Sequence, residues 1–329
     1  MEENKRTKPR EALIDEVWRT VQLRRKSPAD IYYDGDFDDE IFTVEKLREP
    51  ILERHQFGVD TGENMDGFLN GTIGRFWRPS KKSGSLVIVF GTPSHGKSEF
   101  IETTLIWLAK FRQWKICLAS FENMPPDAFM FRSLLPKWTG IPAEKLTETQ
   151  IKNALDEMEN YVVVLNPSEE KRSIDLLISQ AQKVSQDRNE NQGFAFLIDP
   201  WNEIPMVEKN STETQFISES LSKLRTLSRS DNMVCIVVAH PTKIHPGPNA
   251  KTDADGNLVT PIRRPTLSDV SGSFSWRSKA DFSFLIYRKI QPGGSQNEAD
   301  FTLVKARFSD QGKLGSCKLT SDPVVGRFV

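Results

Sequence analysis

An α/β fold, built on a mainly parallel central sheet with helices on both faces and closed by an antiparallel C-terminal extension, is what this 329-residue sequence predicts. Three observations carry that expectation. Five short, nearly continuous apolar runs recur between Ser85 and His240, as parallel strands covered on both faces require. Helical patterns fill the intervals, and repeated strand–helix units read as right-handed crossovers. The chain then changes character, and its last segments read as strands joined by glycine-rich turns.

The strand candidates are SLVIVF (85–90), KICLASF (115–121), YVVVL (161–165), FAFLID (194–199) and MVCIVVAH (233–240). KSEFIETTLIWLAKF follows the first; DAFMFRSLL and TETQIKNALDEMENY separate the second from the third. SIDLLISQAQKVSQ and TQFISESLSKLRTL occupy the next two intervals, and DFSFLIYRK, DFTLVKARF and GSCKLTS form the antiparallel addition. Before the first strand, Pro79 to Ser85 is a turn-rich doorstep. Thr43–His55 reads as a helix with Leu47, Ile51 and Leu52 on one face, which Pro50 is expected to kink or interrupt. Residues 1–42 place a helix-like stretch, EALIDEVWRTVQL, and a basic segment before an acidic one, the composition of a solvated or disordered arm or, alternatively, of a docking arm. The expected organisation is a charged extension (1–42), a linker helix with a lead-in segment (43–80), and one α/β domain (81–329).

Lys plus Arg at 44 against Asp plus Glu at 45 leaves a net charge of -1, so any nucleic-acid contact must come from a local basic surface. Cys117, Cys235 and Cys317 show no CxxC spacing, and two lie in apolar runs, which suits buried thiols in a reducing compartment rather than a zinc site. The first residues lack an apolar signal core, and no run approaches the roughly 18 apolar residues of a membrane span. No membrane partner is expected, and the cytoplasm is the expected location.

The chemistry concentrates behind the first strand. Gly91, Thr92, Pro93, Ser94, His95, Gly96, Lys97 and Ser98, followed by Glu99, fit G-x-x-x-x-G-K-[ST] between a strand and a helix. In that setting backbone N–H groups and the helix N-terminus make an anion cradle, Lys97 reaches the β- and γ-phosphates, and Ser98 ligates Mg²⁺. The alternative is a glycine turn that happens to open a helix. Asp199 ends FAFLID and emerges at the carboxyl edge of the sheet, where a metal-holding carboxylate belongs. Glu122 follows the second strand at the same edge, as a general base or as a surface carboxylate. His240 closes the fifth strand, as a sensor of the γ-phosphate or as a structural histidine.

Taken in order, GTPSHGKSE, SFENMP, LIDPWNE, VVAHPTK, PTLSDVSGS with KAD, and VKARFSDQGKLG resemble the RecA-like P-loop ATPase domain of the DnaB/Twinkle class of hexameric replicative helicases. The Twinkle-like branch is the closer match, and with GVDTG (58–62) the likeness covers roughly residues 45 to 329. The resemblance implies Lys97 and Ser98 as the Walker A pair, Asp199 as the Walker B residue, Glu122 as catalytic base and His240 as γ-phosphate sensor, where DnaB-like members tend to carry Gln. It implies that Lys305 and Arg307 act on a neighbouring subunit's nucleotide, as an arginine finger does; the alternative is the exposed face of an edge strand. Loops after His240 would line a central channel, with Lys243, Lys251, Arg263, Arg264, Ser273 and Arg277 gripping one DNA strand. Lys279 and Asp281 would otherwise pair near the nucleotide, and Trp276 either packs or stacks.

ATP and Mg²⁺ as cofactors, single-stranded or forked DNA as substrate, a homo-hexamer and 5′ to 3′ movement follow from the same resemblance, whose members include phage and organellar proteins. The residues before the ATPase region are too few to form a primase, so the expectation is either a helicase with a separate primase or loader as partner, or a sequence that is one piece of a longer protein. Gly71-Thr-Ile-Gly74 and the insert near Ser80 depart from the usual family pattern. The other function open at this point is a RecA-like, ATP-gated DNA-binding protein, a recombinase mediator or loader without unwinding. A small-molecule phosphotransferase would share the cradle but has no use for Lys305, Arg307 or the loop after His240.

Overall fold

Side chains of Ser85–Phe90 (β1) point alternately to the two faces of the sheet, and that alternation sets the layers of the molecule. Leu86, Ile88 and Phe90 enter one hydrophobic core, Val87 and Val89 the other. The computed structural model describes residues 44–206, 212–242, 263–288 and 297–329. Two units are distinguished within it, divided between Gly58 and Val59.

In the first unit α1 (Val44–Phe57) is one continuous helix. Pro50 lies inside it and does not interrupt it, which corrects one of the two outcomes expected there. No residue of α1 is buried, so water can satisfy the carbonyl that the missing Pro50 N–H leaves without a partner. The helix-like stretch expected near the N-terminus lies outside the described residues.

In the second unit β1 leads to α2 (Lys97–Arg112) and β2 (Lys115–Ser120). Then α3 (Pro126–Phe129) runs through a π turn, Met130–Leu134, into α4 (Leu135–Thr139), so the single helix expected there is wound in three segments of two kinds, α, π and α. The chain continues with α5 (Glu148–Met158), β3 (Val162–Val164), α6 (Ile174–Gln186), β4 (Phe194–Asp199), α7 (Glu213–Ser230) and β5 (Val234–Ala239). It ends with α8 (Ser273–Lys279), β6 (Phe282–Tyr287), β7 (Glu298–Ala306), β8 (Gly315–Asp322) and β9 (Arg327–Phe328). Thr147 and Thr212 start α5 and α7 with capping boxes completed by Gln150 and Gln215, which is why both helices begin where they do.

The strand order is β3-β2-β4-β5-β1-β6-β7-β8-β9. β1 to β5 pair parallel, as the apolar runs predict. β6 corrects the expectation: it lies parallel to β1, and only from β7 onward is the pairing antiparallel. Its run, FSFLIY, is buried on both faces like the other central strands, whereas β7 and β8 alternate with solvent. α2 and α5 cover one face of the sheet together with Met65 and Trp77; α6, α7, α8 and Trp276 cover the other. The lead-in residues 59–80 belong to this unit. They are fastened by Asp60, whose carboxylate accepts from the Gly62 amide and from the hydroxyls of Ser80 and Ser83, while the Gln311 amide donates to Ser83. Cys117 and Cys235 are buried free thiols, and burial pushes Cys117 up to about 12. No helix among the described residues is long and apolar enough to cross a membrane.

Candidate nucleotide site

Strand register brings the site together. Ser120 pairs with Asp199, Ile198 with Val237, and Phe90 with Ala239. Glu122, Asp199, His240 and Gly91 therefore leave four adjacent strands, β2, β4, β5 and β1, at one carboxyl edge, where open α/β sheets bind ligands.

The loop that leaves β1 needs its glycines. A Cβ on Gly91 would lie 2.2 Å from the carbonyl oxygen of Ile286 in β6, and Gly96 caps α2 with a left-handed φ of 88°. No side chain caps α2, so its first amides stay available to an anion. Lys97 is 4% exposed and folds back to donate to the Thr92 carbonyl at 2.9 Å. Burial lowers its pKa to about 8, against the opposing pull of Asp199 and Glu122.

Two side chains expected at the nucleotide make contacts to the C-terminal strands. The buried His95 ring accepts the Arg288 amide on Nδ1 at 3.1 Å and packs edge-on against Tyr287, 5.2 Å between centroids, so its side chain braces the loop against β6. Burial, with Lys97 and Arg288 nearby, keeps this imidazole below its ordinary pKa. Glu99 accepts from the Ser321 hydroxyl and faces Arg288 at 3.5 Å, so it fastens α2 to the C-terminal strands.

Both Asp199 carboxylate oxygens are buried without a hydrogen-bond partner. Burial pushes this pKa up to about 7; the nearby Ser98 hydroxyl and Lys97 pull it down, while Glu102 and Glu122 add to the rise. His240 is half-buried, and burial, with the Lys97 charge, lowers it to about 4, so it is neutral near pH 7. Glu122 is exposed at the rim. Behind it lies a network that sequence reasoning missed. Glu102 and Lys137 form a buried ion pair at 2.9 Å, and Ser133, in the π turn, donates to Glu102 and accepts from Lys137. The Asn123 amide bridges from Ser120 toward Glu102. The available signal was an acidic residue four positions after Ser98, on the buried side of α2.

Lys305 and Arg307 lie at the opposite edge of the same sheet. β7 pairs Ala306 with Phe282, and Phe282 pairs with Val87, near the start of β1. Gly91 is four residues farther along, roughly 13 Å at strand rise. Lys305 donates to the Arg277 carbonyl, and burial, then the Arg307 charge, lowers its pKa to about 8. Arg307 donates to the Ser278 carbonyl at 2.8 Å and faces the fully buried Asp281 at 3.2 Å. Arg229, which sequence reasoning also missed, faces Asp281 from α7 at 3.5 Å.

Of the residues expected at DNA, Lys243 and Lys251 lie outside the described residues, as does the side chain of Ser273. Arg263 and Arg264 are not free cations: Arg263 pairs with Asp269, holding that carboxyl down to about 2, and Arg264 pairs with Asp300 and lies 5.2 Å over the Tyr287 ring. Arg277 is exposed. Lys279 donates to Ser222 rather than pairing with Asp281. Trp276 packs: it is buried, donates to the Ser271 carbonyl at 2.6 Å and meets Trp201 edge-on at 5.5 Å.

Comparison with known proteins agrees with this architecture. The family model described as the DnaB-like helicase C-terminal domain matches residues 78–329. The Twinkle homolog protein, chloroplastic/mitochondrial, of Arabidopsis thaliana is 27% identical over 288 residues, covering 83% of this chain. The chain spans 36% of that relative's length. Among solved structures, one described as an ATPase domain aligns at a TM-score of 0.68 and 19% identity, covering 88% of this chain and 99% of that one. A DnaB-like replicative helicase, described with its interactions with primase, aligns at 0.63 and 18% identity, covering 97% of this chain and 75% of that one. At these identities the structural matches speak to the fold, which is theirs.

Proposed function

The chain belongs to the DnaB-like helicase C-terminal domain family, and from that premise we propose that it is an ATP-driven DNA helicase. In this reading six copies form a ring that moves 5′ to 3′ along single-stranded DNA and separates duplex during replication. One observation carries it: the phosphate cradle and the Lys305–Arg307 pair lie at opposite edges of one sheet. A single chain cannot close its own site with Arg307; a copy alongside can.

The roles follow from chemistry. Backbone amides of the loop from Ser94 to Ser98 and the Lys97 ammonium hold the β- and γ-phosphates. Asp199 and Ser98 fit Mg²⁺, because the two unpartnered carboxylate oxygens of Asp199 are buried and magnesium favours one or two carboxylates with phosphate oxygens. Bound there, the ion neutralises charge on the triphosphate. Glu122, exposed beside the cradle, takes the proton of the attacking water. His240, neutral near pH 7, can donate one N–H to the γ-phosphate and loses that acceptor when phosphate departs. Lys305 and Arg307 of an adjoining copy stabilise the transferring phosphoryl group, an effect worth about 10³–10⁵ in rate in well-studied NTPases.

Arg277, exposed beside that pair, and Lys243 and Lys251 are proposed as contacts to the DNA backbone, with α1 as the linker between copies. A separate primase or loader is the proposed protein partner, and the cytoplasm the proposed compartment. The test is unwinding of a forked duplex with ATP and Mg²⁺. The parent is expected to release the strand and Lys97→Ala to release none. DNA-stimulated hydrolysis without strand release would instead support an ATP-gated DNA-binding protein.

A further inference from the structure

Asp281 is a buried acid at the heart of a basic edge. It is 0% exposed, and four cations lie around it: Arg307 and Lys305 at the end of β7, Arg229 and Arg225 on α7. Its backbone is pinned in the sheet, the amide donating to the Leu86 carbonyl and the carbonyl accepting from the Arg307 amide, both at 2.8 Å. Its Oδ2 accepts the Leu86 amide at 3.0 Å. That leaves Oδ1 turned to the two guanidinium groups, 3.2 Å from Arg307 Nε and 3.5 Å from Arg229. A buried carboxylate with one oxygen fixed to a central strand has no freedom to follow its partner. Arg307 is held instead by two contacts, an ion pair to Asp281 Oδ1 that approaches Nε without a hydrogen bond and a hydrogen bond from one terminal nitrogen to the Ser278 carbonyl. The other terminal nitrogen is then the part of the group able to meet a phosphate.

We propose that Asp281 is a positioning residue: it aims the Arg307 guanidinium outward from the sheet edge, toward the triphosphate held by an adjoining copy. This rests on the reading of Arg307 as a group that acts in trans. Asp281 touches no substrate. Its fixed buried charge attracts the guanidinium, so that the flexible side chain need not be ordered when the transition state forms. Arg229 faces the same oxygen and offsets the buried charge without taking the place of Arg307.

The experiment uses the full chain with ATP, Mg²⁺ and single-stranded DNA. Asp281→Asn is expected to lower turnover at saturating ATP by about 10²-fold, the cost of a small misplacement of a catalytic group, and to leave fluorescent-nucleotide binding within about twofold of the parent. Mixing decides where the defect lies. Asp281→Asn keeps a working cradle, and Lys97→Ala keeps a well-aimed Arg307, so equimolar mixtures should regain hydrolysis that neither variant has alone. Parental turnover in Asp281→Asn, alongside recovery when Arg307→Ala is mixed with Lys97→Ala, would overturn the positioning role and leave the trans reading standing. No recovery in that second mixture would remove the trans reading and the inference with it. If Asp281→Asn and Asp281→Glu both lose nucleotide binding, Asp281 serves folding and the proposal fails.

Discussion

Asp199 shows at the scale of one residue how a functional group is kept at a cost to stability. It is 2% exposed, and its pKa stands near 7 against an ordinary 3.8. A carboxyl whose folded pKa is raised contributes stability that is whole below about pH 4 and is lost as pH rises through about 7. Asp199→Asn should therefore stabilise the nucleotide-free protein at pH 8, by an upper bound of about 4 kcal/mol. The advantage should close as pH falls to about 4. Thermal melts from pH 4 to pH 8 in EDTA measure it, and a constant difference across that range would contradict the assignment. That Gly91 to Ser98 form a loop between a strand and a helix was legible from motif spacing; where the side chains point was not. His95 and Glu99 belong to the motif, yet β6 and β8 claim their side chains, and those strands are nearly two hundred residues and more away in the chain.

At the scale of elements, the joint between α2 and α4 contains one buried ion pair beside the hydrogen bond from Lys110 to the Trp138 carbonyl. Glu102 and Lys137 are each less than a tenth exposed, and Ser133 closes the triangle between them. Glu102→Ala would strand a buried ammonium, a change that typically costs 3–5 kcal/mol. The urea midpoint of unfolding should fall with an unchanged slope, and a loss within experimental error would mean that Lys137 finds water. Replacing both by Leu and Met should cost far less, because no charge is left without a partner. Periodicity found nearly every helix and strand of the α/β domain because those signals are local. It misjudged β6, because a strand's direction relative to its neighbours is not written in its own residues. It also gave Pro50 too much weight: α1 buries nothing, so a lost hydrogen bond is carried by water.

For the whole molecule, the proposed division of one ATP site between two edges of the sheet would have a mass-action consequence. If each cradle needs an adjoining Lys305 and Arg307, nucleotide that bridges copies must stabilise their association. In sedimentation experiments the 37.4 kDa chain is expected to gather into a particle of roughly six copies when Mg·ATP is added. Arg307→Ala should weaken that response. A monomer with undiminished hydrolysis would contradict the shared site. Near-neutral net charge is compatible with such a ring, because a local group of four cations, Arg225, Arg229, Lys305 and Arg307, lies around Asp281 at one edge.

By itself the amino-acid sequence determined the layered α/β architecture, the phosphate cradle and the carboxylate that follows β4, since each is a short-range pattern: apolar runs, helix starts, and Gly-Lys-Ser behind a strand. Only the tertiary structure decided that β6 runs parallel to β1, that Arg307 stands at the edge opposite Glu122, Asp199, His240 and Gly91, and that the buried Asp281 faces it. Those facts come from strand order and register, which are set by packing between segments far apart in the chain and leave no mark at the residues themselves.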